Sequence, residues 1–83
     1  MKKQKLLQKV LSGTKNVRFS EAAALAEAFG FRLDRVNGSY HLFVHPEIPE
    51  LLNLQNDSGK AKPYQIKQLL QLVEAYNLQL GEK

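Results

Sequence analysis

The chain contains no cysteine, which removes disulfide frameworks, thiolate metal sites such as zinc fingers, and thiol nucleophiles together. That absence fits a reducing compartment. Long apolar runs are also missing, since the longest unbroken one is Ala22 to Ala26 and a membrane span needs roughly 20 residues. The lysine-rich start lacks the apolar stretch of a signal peptide, so a cytoplasmic protein with no membrane partner is expected. No segment repeats and none is of low complexity. Acidic residues are absent from residues 1–20, which carry Lys2, Lys3, Lys5, Lys9, Lys15 and Arg18.

What is present is an ordinary globular mixture, 43% hydrophobic and 24% charged over 83 residues, which predicts one domain around one small core. A chain of this size hides only about 60 to 65% of its unfolded surface. Any site is therefore expected on the surface, and no cofactor is expected. The net charge of +4 is unevenly spread. Residues 1–20 sum to +6; residues 21–58 set Arg32 and Arg35 against Glu21, Glu27, Asp34, Glu47, Glu50 and Asp57, giving −4; residues 59–83 sum to +2. Basic ends around an acidic middle attract a polyanion such as nucleic acid, although lysines at a terminus also serve simply to keep a small protein solvated.

Apolar Leu6, Leu7, Val10 and Leu11 form one stripe of a short helix over Lys2 to Leu11, which Gly13 ends. A second helix spans Ser20 to Phe29: Ser20 suits the N-cap, Glu21 lies in the positive first turn, and Ala22, Leu25, Ala26 and Phe29 follow helical spacing up to Gly30. The pattern then changes to alternation over Phe31 to Val36, a strand. Asn37-Gly38 predicts a two-residue hairpin turn, with Ser39 to His45 as the return strand. Leu51 to Gln55 reads as a third strand after a Pro46/Pro49 linker, and Asn56-Asp57-Ser58-Gly59 as a turn. Pro63 opens a last helix to Tyr76, with Ile66, Leu69, Leu70 and Val73 on one face. The expected fold is α+β, a three-stranded antiparallel sheet with helices on one face, plus an extra N-terminal helix.

Counting outward from an Asn37-Gly38 turn sets Asp34 across from His41 and sorts the side chains of the hairpin into two faces. Phe31, Leu33, Tyr40, Leu42 and Val44 fall on the expected core side. Arg32, Asp34, Ser39, His41, Phe43 and His45 fall on the open side. His41 and His45 do not form a metal pair in this pattern, because four strand residues separate them by about 13 Å and a zinc ligand lies within about 2.1 Å of its metal. No metal site is predicted. His41 is the candidate acid/base group, with Asp34 expected to orient its imidazole; an exposed His beside an exposed Asp is also common on sheets without any function. His45, before Pro46, reads as a strand-end residue. Phe43 on an open face would stack on a base or meet a protein partner. Lys60, Lys62 and Lys67 gather around the start of the last helix, where a phosphate would be favoured.

The stretch Gly30-Phe31-Arg32-Leu33-Asp34-Arg35-Val36-Asn37-Gly38-Ser39-Tyr40-His41-Leu42-Phe43-Val44-His45-Pro46 resembles the signature of the HicA toxins, small mRNA interferases of bacterial toxin-antitoxin modules. The matching features are Gly-Phe after the helix, a basic strand, Gly-Ser-x-His, an aromatic two residues on, and His-Pro. The resemblance runs over about Ser20 to Leu78. It implies a fold similar to double-stranded-RNA-binding domains, mRNA as substrate, a HicB-type antitoxin as partner, and His41 as the essential histidine. Many members carry a second histidine where this chain has Tyr40, and residues 1–19 extend beyond the family pattern as a basic helical extension of a domain at 20–83.

Together these features predict a metal-independent endoribonuclease led by His41, with Asp34, Ser39 and His45 supporting it and Arg32, Phe43, Lys60, Lys62 and Lys67 binding RNA. Two other readings remain open on the same fold. One is a non-catalytic RNA-binding module, the other an interaction domain covered by its antitoxin. Homo-oligomers are compatible with either.

Overall fold

The computed structural model describes residues 3–81, so Lys2 of the first predicted helix and the last two positions of the 20–83 domain lie outside the described residues. The fold is a small α+β domain in the order α1 (Lys3–Ser12), α2 (Phe19–Ala28), β1 (Arg32–Asn37), β2 (Tyr40–His45), β3 (Ile48–Asp57), β4 (Lys60–Ala61) and α3 (Pro63–Ala75). The sheet has four antiparallel strands in the order β1-β2-β3-β4, rather than the expected three. The predicted third strand, Leu51 to Gln55, is the middle of a longer one. The Asn56 to Gly59 cluster is the turn that folds the chain back into β4, where Asp57 faces Lys60. Asn56 Oδ1 accepts the Gly59 N–H at 2.7 Å and tightens that turn.

Helix α2 begins one residue before the predicted Ser20 cap. Arg18 occupies the N-cap, and Glu21 reaches back to accept the Arg18 backbone N–H at 3.0 Å, satisfying an orphan donor of the first turn. The other Glu21 oxygen accepts Lys9 Nζ at 2.7 Å, tying α1 to α2. These two hydrogen bonds, the Lys9 one foremost, hold the Glu21 carboxyl below its ordinary value. Leu6 and Val10 of α1 and Val17 after it are fully buried in the same cluster as Leu25, Phe29, Leu52, Leu54, Ile66 and Leu69. The core is continuous across the 19/20 boundary. Residues 17–19 also run alongside β4: the Phe19 N–H donates to Gly59 O at 2.9 Å, the Ala61 N–H to Val17 O at 2.9 Å, and Arg18 bridges Lys60.

The hairpin departs from expectation in a way that reverses the faces of its second strand. The turn is Gly38-Ser39 and Asn37 pairs with Tyr40. Gly38 has φ +63°, as the first central residue of a type II′ turn requires, while Ser39 needs no positive φ. The turn shift alone moves the adjacent pairing by two residues, which keeps sidedness, but the extra residue at Asp34 in β1 sets Leu33 opposite Phe43 instead of Leu42, a net slip of one that moves every side chain of β2 to the other side of the sheet. Phe43, only 2% exposed, lies at the centre of the core against Leu52, and His41 and His45 share its side. Tyr40, Leu42 and Val44 face the uncovered side instead. Burial explains the choice, because Phe43 is the largest apolar side chain on β2 and its row continues into Leu52 and Leu54, both fully buried. Tyr40 keeps its hydroxyl in water.

Candidate functional site

The corrected register dissolves the predicted His41–Asp34 dyad. Val36 stands opposite His41. Asp34 is an extra residue in β1, a bulge between Leu33 and Arg35, and its carboxylate meets Arg35 Nε at 3.4 Å. Arg32 pairs with Val44 and lies on the uncovered side of the sheet, away from His41. Phe43 is enclosed and offers no surface to a base.

His45 is fully used by the fold. Its Nε2–H donates to Phe29 O at 3.1 Å, and Nδ1 accepts the Glu47 N–H at 3.1 Å, which specifies the neutral Nε2–H tautomer. Its ring packs edge-on against Phe31 with centroids 5.0 Å apart. The residue latches the end of α2 to the end of β2, and the chain leaves room for it at Gly30, whose φ is +99° and where any Cβ would approach Nε2 to 2.8 Å.

His41 is held differently. Its Nδ1 lies 3.1 Å from the carbonyl of Ser39, two residues earlier in the turn. A carbonyl can only accept, so the proton of the neutral ring sits on Nδ1 and the lone pair on Nε2. Nε2 makes no hydrogen bond among the described residues, and the ring is half-buried. Ser39 thus supports His41 through its backbone, and the same carbonyl also accepts the Asn56 N–H at 2.9 Å, which anchors it to β3. The other face of the imidazole packs on Phe19, with centroids 4.5 Å apart and planes tilted by 52°. The arrangement is a single imidazole oriented by a backbone carbonyl and backed by the half-buried Phe19 ring.

Phe19 carries this site toward positive charge. It opens α2, whose N-terminus is capped by the Glu21 carboxylate. Arg18 precedes it and Lys60 lies across from Arg18. Lys62 belongs to the same region but pairs with Asp57 at 3.5 Å, and Lys67 is an exposed residue on the second turn of α3. Phe19 and Arg18 were not among the candidates from sequence. The signal for them was an aromatic and a cation immediately before a helix start, in a segment assigned to the extension. Among the described residues no three His, Asp or Glu side chains gather as a metal site. No protein-family model matches the chain, and no curated protein sequence matches it.

Proposed function

We propose that this domain is a HicA-like endoribonuclease that cuts mRNA without a metal, with His41 as its proton acceptor. The observation that carries the reading is the geometry at His41: Nδ1–H fixed on the Ser39 carbonyl, Nε2 free, and the ring packed on Phe19, which directly follows Arg18, the residue bridged to Lys60. The resemblance of Gly38-Ser39-x-His41 to the HicA signature points to the same residue. Helices against one side of an antiparallel sheet also suit the double-stranded-RNA-binding-domain arrangement that the family implies, and a HicB-type antitoxin is then the partner.

In this mechanism Nε2 takes the proton of a ribose 2′-hydroxyl. The 2′ oxygen attacks the adjacent phosphorus, and the 5′ oxygen leaves with a proton from solvent, giving a 2′,3′-cyclic phosphate and a 5′-hydroxyl end. Arg18 and Lys60 hold the phosphate. One acid/base group contributes about 10² to 10⁴-fold, so turnover is slow. The test is incubation of a labelled single-stranded RNA in EDTA with wild type and with His41→Ala. Cleavage should fall by about 10² to 10⁴-fold while RNA binding stays. Equal cleavage by both proteins would refute the role of His41, and binding with no cleavage by either would leave a non-catalytic RNA-binding module.

A further inference from the structure

Among the described residues, the first strand of the sheet has no partner on its outer side. β1 stands at the end of the strand order and all six of its residues are exposed. Leu33 and Val36 lie on the core side of the sheet through their pairing with Phe43 and His41, yet they remain 43% and 52% exposed. An uncovered edge with apolar side chains is a template for another strand. The bulge and the charges of β1 are devices that discourage indiscriminate pairing at such an edge, so a strand that joins it must match both.

The geometry points to a second copy of this chain as that strand, joined β1 to β1 antiparallel about a two-fold axis between Asp34 and Arg35. In that register Leu33 faces Val36 of the other copy, Asp34 faces its Arg35, and Arg32 faces its Asn37. Partners across an antiparallel pair must share a face. In a regular strand Leu33 and Val36, three apart, would point to opposite faces and the register would fail. The bulge restores it. Arg32, Arg35 and Asn37 pair with Val44, Leu42 and Tyr40 on the uncovered side, and the Asp34 carboxylate reaches Arg35 there. The strand therefore reads the same from both ends: uncovered, core, two uncovered, core, uncovered. Two apolar pairs and two ion pairs form at once, as an isologous interface requires. The sheet continues into eight strands, with both His41 side chains on one side of it.

The test is sedimentation equilibrium over about 1 μM to 1 mM protein, spanning weak to moderate affinities. Wild type should dimerise within that range. Asp34→Arg and Arg35→Asp should each stay monomeric with unchanged circular dichroism, since both residues are exposed, and an equimolar mixture of the two should form the heterodimer that restores both ion pairs. Because the chain has no cysteine of its own, Leu33→Cys mixed with Val36→Cys provides an independent reading of register: under mild oxidation the mixed pair should cross-link faster than either variant alone. A wild type that is monomeric throughout, including one that associates only with a different protein, would overturn the proposal. So would a dimer indifferent to the charge reversals, or one whose cross-linking shows no preference for the mixed pair.

Discussion

Phe43 and Gly30 show how individual residues decide this structure. Phe43 belongs to the core, so Phe43→Ala should destabilise the protein by about 3 to 5 kcal/mol, read from urea unfolding at constant slope; a loss below about 1 kcal/mol would mean that the ring is not enclosed. Gly30→Ala should lower stability through two separate effects, the left-handed backbone and the collision with His45. Thermal melts distinguish them. In a His45→Ala background the collision is gone and only the backbone cost remains, so the effect of Gly30→Ala should shrink. His41 was legible as the candidate base from residue type and motif alone. Its orienting partner was not, because the partner is the backbone carbonyl of Ser39, which no side-chain pattern reveals.

At the scale of elements, helices were legible and the hairpin register was not. The stripes of α2 and α3 are fixed by many apolar positions at helical spacing, so an error of one residue at an end leaves the buried face unchanged. A hairpin has no such tolerance. Gly38 can open a turn with Ser39 as readily as close one with Asn37, and the choice is made by the burial of Phe43 and by the bulge at Asp34, both of which depend on the rest of the sheet. The short β4 was hidden for the same reason, since its pairing rests on residues 17–19 and on the β3 turn. The Glu21 contacts that join α1 to α2 give this scale a pH dependence. A carboxyl held below its ordinary value in the fold stabilises it above the unfolded value and loses that contribution as pH falls through the folded one. Wild type should therefore melt higher than Glu21→Gln at pH 7, and the gap should close as pH drops below about 4. A gap unchanged down to pH 3 would show that the carboxylate does not carry the link.

For the whole molecule, the charge is organised by the fold more than by the sequence. The basic N-terminal segment is not a separate arm: α1 enters the core, and Arg18 is carried to Lys60 at the opening of α2. RNA affinity should fall steeply with added salt, and Arg18→Gln and Lys60→Gln should each reduce the slope of log affinity against log salt by about 1. Lys62→Gln should change it less, because Asp57 already faces that ammonium. The central claim, that His41 Nε2 draws the proton from a ribose 2′-hydroxyl, is tested most directly by giving the wild-type protein and His41→Ala an RNA and its 2′-O-methylated counterpart in EDTA. Wild type should bind both, cut only the unmodified strand and leave a cyclic phosphate, while His41→Ala binds both and cuts neither. Cleavage of the methylated strand, or cleavage of RNA by His41→Ala at the wild-type rate, would contradict it.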